Sequence, residues 1–289
     1  MASRSRLLLL GLLLVAAPAC AGPVSRAIYP APTAPLTLAG TPEGTRLVTV
    51  QTADGLRLQG LAVAARPGMP TLLLLHGNAS SATSALQWFA PFAAAGYGIV
   101  SAEYRGYSGN PGRPSEAGLV QDAEAFLALA RQQAGTGEGW VVGHSIGGAV
   151  GLSLARRQLL DALITIGTFT RLRAMAPGIA RAFVPDEYDN LGAVRLLDEP
   201  FYLIHGRADR VVPSTQGGEL FEAARSSRRT GLAFAISGAD HAPAAATLLP
   251  LFELIAQHRR SGRVDPAQVP PDVQMSLLSD APKQPALEQ

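Results

Sequence analysis

The chain has 289 residues, 47% of them hydrophobic and 16% charged, with a net charge of +2. A chain of this size and composition buries a substantial core, and its weak, dispersed charge excludes a basic nucleic-acid surface. Lys283 is the single lysine, so arginine carries nearly all the positive charge without forming a binding stripe.

Arg4 and Arg6 precede an apolar run from Leu7 to Ala17, and the small residues Ala19, Cys20 and Ala21 follow. This is the pattern of a secretory signal over residues 1–21, and its apolar run is too short for a comfortable membrane span. Cys20 is the only cysteine, so no disulfide framework is expected. Its position directly after Ala19 resembles a bacterial lipobox, which makes Cys20 a candidate lipid anchor, although Ala17 and Pro18 depart from the usual residues there. Ordinary cleavage, for instance after Ala21, is the alternative. Either route predicts export, to the periplasm or as a membrane-anchored bacterial lipoprotein held by several acyl chains.

Residues 22–45 carry Pro23, Pro30, Pro32, Pro35 and Pro42 and read as a proline-rich tether or extended arm. Alternating runs at 46–52 and 56–64, joined by Ala53-Asp54-Gly55, predict an antiparallel hairpin. The pattern then changes to continuous apolar runs at 71–75, 98–102, 140–142, 162–166, 201–204 and 232–236, as in strands covered on both faces. Helical segments are expected between and after them, at 82–95, 115–133, 146–158, 215–225 and 244–258. Alternation of strand and helix predicts an α/β fold over 46–260, a mostly parallel, doubly wound sheet. The interval from about 168 to 199 breaks the alternation and reads as a short lid insertion carrying Asp186, Glu187 and Asp189. The last stretch, 261–289, is proline-rich and weakly periodic, and is expected to be a disordered tail.

Chemistry concentrates where the strands end. Gly143-His144-Ser145-Ile146-Gly147 matches the G-x-S-x-G elbow, in which a strained turn lifts a serine oxygen clear of the sheet. Side chains at Gly143 or Gly147 would collide with the neighbouring strand or helix. A serine nucleophile needs a base, and the base needs an acid to hold its tautomer. Asp209 and His241 follow the 201–204 and 232–236 strands, in the order Ser, Asp, His, at the same sheet edge as Ser145. Asp240 adjoins His241 and reads as a turn residue, while Asp198 precedes its strand at the opposite edge. Among the other histidines, His144 is expected to pack on the crevice wall and His205 to shape the Asp209 turn. His258 is expected to be a helix-end residue suited to the dipole. His76-Gly77-Asn78 follows the 71–75 strand, so the N–H groups of Asn78 and Ile146 are the expected oxyanion hole.

With Leu75–Asn78, Glu103–Pro111, Pro114–Glu116, Asp122-Ala123, the elbow, His205–Asp209 and Asp240-His241 in view, the chain resembles the α/β-hydrolase superfamily. The branch it is most similar to contains abhydrolase-domain proteins related to serine aminopeptidases and monoacyl-lipid hydrolases. The resemblance covers about Arg46 to His258 and implies Ser145, Asp209 and His241 as triad, with Asn78 and Ile146 at the oxyanion positions. Two departures stand out. Glu103 replaces a frequent Asp, expected to alter only the support of Arg105, and Gly167-Thr168-Phe169 replaces a more usual Pro-Phe pair. The leading expectation is an exported serine hydrolase acting on small or lipid-like carboxylic esters without a metal or cofactor. Phe169, Met175, Ile179, Phe183 and Val184 are candidate acyl-pocket residues. A peptidase using the acidic lid residues, and a non-catalytic binding lipoprotein, are the alternatives.

Overall fold

The computed structural model describes residues 28–175 and 186–279. The signal, Cys20 and the lid positions Ile179, Phe183 and Val184 therefore lie outside the described residues. Nine strands form one sheet in the order β1-β2-β4-β3-β5-β6-β7-β8-β9. They are β1 (Arg46–Gln51), β2 (Arg57–Val63), β3 (Thr71–Leu75), β4 (Gly98–Ser101) and β5 (Gly139–His144). β6 (Ala162–Ile166), β7 (Phe201–Gly206), β8 (Gly231–Ile236) and β9 (Val273–Leu277) complete it. The six strands from β4 to β8 in the sheet run parallel, while β1 pairs antiparallel with β2, β2 with β4, and β8 with β9.

The alternation of side chains along each strand builds two apolar layers. Leu73, Leu75, Val141 and Leu163 face α3 (Glu116–Ala134) and α4 (Ile146–Ala155), with Phe126 and Val150 in the same cluster. Leu72, Leu74, Val142 and Ile164 face the other way, toward a cluster holding Phe89, Phe92 and Phe252. That second layer is covered by α1 (Ala82–Trp88), α2 (Ala90–Ala95) and α8 (Ala245–Ser261). Both faces of the central strands are sealed, which is why their sequences are continuously apolar.

Two expectations change. The single helix expected at 82–95 is two, because Pro91 lacks an N–H and the chain resets at Phe89. The tail expected from 261 contains β9, an edge strand whose register runs from Val273 opposite Ile236 to Leu277 opposite Leu232. Pro270 and Pro271 precede that strand and do not interrupt it, and Leu278 beyond it is buried. The described part of the expected tether or arm is fastened at its Tyr29 end and otherwise mostly exposed: Tyr29 is 3% exposed and the carbonyl of Pro32 accepts the N–H of Ser108, while Leu38 is 49% exposed. The lid interval contributes α5 (Leu172–Met175) and α6 (Asn190–Arg195), and α7 (Ser214–Ser226) follows β7.

Candidate active site

The turn between β5 and α4 places Ser145 at φ 55° and ψ −118°, a left-handed geometry that a non-glycine residue rarely adopts. Such strain costs on the order of 1–3 kcal/mol and persists only where the surroundings enforce it. The flanking glycines supply the enforcement. A Cβ at Gly143 would lie 2.4 Å from the Gly147 carbonyl oxygen, and one at Gly147 would lie 1.9 Å from that of Leu75. The N–H of Ser145 donates to Ile166, and the Thr168 hydroxyl donates to the Ser145 carbonyl at 3.3 Å. Thr168, one of the departures from the family pattern, thus braces the elbow.

Asp209 lies in the turn after β7. Its Oδ1 accepts the N–H groups of Val211 and Val212, both at 2.8 Å, and its Oδ2 lies 2.8 Å from His241 Nδ1. The carboxylate is fully buried, and the ring it holds is partly open to solvent. Pairing with a carboxylate makes Nδ1 the donor, so Nε2 carries the lone pair of a base. That nitrogen has no hydrogen-bond partner among the described residues, and Ser145 Oγ is not bonded to it. Nucleophile–base contacts are often long before substrate binds. Gly167, at φ 58°, keeps the space between the two limbs clear: a Cβ there would lie 3.1 Å from His241 Nδ1 and 3.3 Å from Asp209 Oδ2.

The remaining histidines divide by what holds them. His205 Nε2 lies 3.0 Å from the Val212 carbonyl and 3.5 Å from Asp209 Oδ2, so it shapes the acid's turn as expected. Burial lowers its pKa. His144 Nε2 lies 2.9 Å from the His241 carbonyl, and its ring packs edge-on to Trp88. Burial, reinforced by the neighbouring His241 imidazole, pushes His144 down to about 4, so at neutral pH it is an uncharged prop beside His241. His258 departs from expectation. It is buried, its Nδ1 lies 2.9 Å from the Tyr202 hydroxyl, and burial lowers its pKa, so it is no solvated cation serving a helix dipole.

Glu103 also departs from expectation. No hydrogen bond or ion pair joins it to Arg105, which instead bonds Asp122 and Asp54. Glu103 pairs with His76 at 2.8 Å and accepts the N–H of Ala82 at 3.0 Å, tying the turn after β3 to the start of α1. In that turn, the Asn78 side chain donates to the Ile28 carbonyl at 2.6 Å and accepts from the Tyr107 hydroxyl at 3.4 Å. It acts as a turn fixture, and no protein acceptor among the described residues takes the Asn78 backbone N–H. Ile146 opens α4, so its N–H has no carbonyl four residues back. A Cβ at Gly77 would lie 3.4 Å from Ser145 Cβ, which brings the turn directly against the serine. A cavity of about 230 Å³ adjoins it, lined by residues that include Asn78, Trp88, His144 and Ala242.

The lid acids are already engaged. Asp186 accepts from Tyr29, Glu187 faces Arg173 at 3.6 Å, and Asp189 pairs with Arg171 and caps α6. Phe169 is buried, Met175 packs against the same cluster, and Asp240 accepts the N–H of Ala242 as a turn residue. Sequence reasoning missed Glu103 and also Trp88, whose indole N–H donates to the Pro243 carbonyl just beyond His241. Neither partnership leaves a mark in sequence spacing, because 27 and 155 residues separate the partners.

Residues 69–186 match the family model "Serine aminopeptidase, S33". An uncharacterised protein of Mycobacterium tuberculosis is 32% identical over 193 residues, covering 64% of this chain and 69% of that protein. Lysophosphatidylserine lipase ABHD12 of Xenopus tropicalis is 27% identical over 201 residues, covering 61% of this chain. The chain spans about half of that relative's length, 52%. Among solved structures, an esterase from Pyrococcus furiosus superposes with a TM-score of 0.59 at 17% identity, covering 80% of this chain and 95% of the esterase. At that identity the likeness speaks for the fold alone.

Proposed function

The chain belongs to the α/β-hydrolase superfamily, and from that premise we propose that it is an exported serine hydrolase that cleaves small carboxylic esters. One observation carries the reading: a serine on a strained elbow shares its sheet edge with a histidine whose Nδ1 is held by a buried aspartate. In this mechanism Ser145 Oγ attacks the ester carbonyl carbon while His241 Nε2 takes its proton. The N–H groups of Asn78 and Ile146 receive the charge that develops on the carbonyl oxygen. His241 then protonates the leaving alcohol, and the C–O bond breaks to leave an acyl-Ser145 ester. Water, deprotonated by His241, attacks that ester; the acyl C–Oγ bond breaks, His241 returns the proton to Ser145 Oγ, and the acid is released.

Two observations favour an ester over a peptide. The lid carboxylates that would hold a substrate amine are engaged by Tyr29, Arg173 and Arg171. The cavity beside the oxyanion turn, about 230 Å³, falls below the roughly 300 Å³ at which ligand pockets usually begin, so it suits a short acyl or alcohol group. The lipase relative and the apolar Phe169 and Met175 keep lipid-like esters within the substrate class. Export follows from the signal pattern, and lipidation at Cys20 is part of the proposal. Intact mass of the mature protein tests it, since an unmodified N-terminus beyond Cys20 excludes an anchor.

The activity test uses purified protein with p-nitrophenyl esters of increasing chain length and a fluorophosphonate probe. Hydrolysis and labelling that both vanish in Ser145→Ala support the mechanism. Equal turnover in that variant removes the serine from it, and an unlabelled, inactive wild type favours a binding protein on this scaffold.

A further inference from the structure

Residues 28 and 29 of the arm before β1 lie against the turn proposed to hold the oxyanion. The Ile28 carbonyl accepts from Asn78 Nδ2 at 2.6 Å, and the next residue, Tyr29, is buried. The Tyr29 hydroxyl donates to Asp186 Oδ2 at 2.7 Å and lies 3.2 Å from the Tyr188 hydroxyl. Burial, together with Tyr188, raises the Tyr29 pKa far above that of a free phenol, so the hydroxyl stays protonated as a donor. The other Asp186 oxygen accepts the N–H of Glu116 at 3.1 Å. Glu116 closes the ring: its Oε2 accepts the N–H groups of Glu187 at 2.8 Å and Tyr188 at 3.1 Å. Three segments that are remote in sequence therefore meet beside the turn: residues 28–29, the first turn of α3, and the returning end of the lid interval.

Packing alone would not require this arrangement. An arm that merely covered apolar surface would have no need to grip the side chain of the residue whose N–H faces the developing charge. With Tyr107 on one end of the Asn78 amide and Ile28 on the other, the arm restricts how that residue can rotate. Oxyanion donors work only within a narrow distance range, so small rotations matter to rate.

We propose that Ile28 and Tyr29 are positioning residues: the arm is a strap that orients the Asn78 donor and ties it to the lid through Asp186. This rests on the proposed esterase mechanism. It goes further by making a segment outside the α/β core a determinant of transition-state stabilisation.

The test compares Tyr29→Phe, Asp186→Ala and Asp186→Asn in the full-length chain. Readouts are kcat and KM on a short p-nitrophenyl ester, the rate ratio of that ester to its thionoester, and the melting temperature. A thionoester places sulfur, a poor hydrogen-bond acceptor, in the oxyanion position, so the ratio reports donor alignment and not general stability. Tyr29→Phe and Asp186→Ala should each lower kcat about tenfold, less than the about 10²-fold of a full 1 Å misplacement. KM should stay within about twofold and the oxo-to-thiono ratio should shrink. The double variant should be no worse than Asp186→Ala alone, because the Tyr29–Asp186 contact that Tyr29→Phe removes is already lost there. Asp186→Asn, which still accepts from Tyr29, should restore most of the ratio. An unchanged ratio in either single variant, or additive losses in the double, overturns the strap. If Tyr29→Phe fails to fold, Asp186→Ala carries the same measurement. A wild type whose turnover survives Ser145→Ala would instead indict the mechanism beneath it.

Discussion

Two histidine–carboxylate pairs stand at the carboxyl edge of the sheet, and they are chemically alike but differently finished. His76 meets Glu103 at 2.8 Å, and His241 meets Asp209 at the same distance. Around His76 every polar valence is used. Its Nδ1 lies 2.9 Å from the Gly77 carbonyl, its ring leans on Tyr104 and Tyr107, and Glu103 also receives the N–H of Ala82. Its side chain is 1% exposed, against 18% for His241, whose Nε2 has no partner among the described residues. A pair with both ends satisfied holds backbone in place. A pair with one nitrogen open can take a proton. In the proposed mechanism, reactivity comes from what is left unbonded, not from the residue types.

The sharpest way to break the comparison is to remove the serine on which the open pair is proposed to act. Ser145→Ala should lower kcat on the order of 10⁶-fold, as removing a triad serine does elsewhere, and abolish fluorophosphonate labelling. Steady-state kinetics on a p-nitrophenyl ester checks it. Next comes Asp209→Asn, which preserves shape but loses control of the His241 tautomer. The expected fall in kcat is about 10⁴-fold, with KM little changed. The closed pair should respond in the opposite currency. Glu103→Ala leaves a buried histidine unpaired and should destabilise the fold by about 3–5 kcal/mol in urea denaturation. Folded molecules of that variant should keep far more activity than Asp209→Asn. If Glu103→Ala were instead the poorer catalyst and equally stable, the division between the pairs would fail.

How much of this was readable beforehand depended on range. The elbow was legible because its constraint is local: Gly143 and Gly147 are required by backbone atoms within a few residues or on the adjoining strand. The order of Ser145, Asp209 and His241 was legible because each follows an apolar run at the same sheet edge. The closed pair was not. Glu103 reads as support for Arg105, its near neighbour, and only the β3–β4 pairing brings it to His76. β9 was hidden by proline content, although Val273 and Met275 alternate with polar residues as an edge strand should. Tyr29 was hidden the same way, since prolines describe an extended path without saying what it lies against.

The smallest expected effect lies between the two pairs, at His144. Its ring donates to the backbone of His241 while remaining neutral, because burial and the neighbouring imidazole depress its pKa to about 4. An unfolded histidine titrates near 6.5. Between those values the unfolded chain holds a proton that the folded chain does not, so folding stability must rise with pH from about 4 to about 6.5 and level off above. His205 and His258, also depressed by burial, add slope of the same sign. His144→Gln keeps a donor for the His241 carbonyl and deletes the titration. The variant's stability–pH curve, measured by urea denaturation, should be flatter than the wild type's across that window and parallel to it above. Parallel curves throughout would mean that His144 takes up its proton over the same pH range folded as unfolded, and the wall beside His241 would then be charged below about 6.5, where burial is expected to keep it neutral.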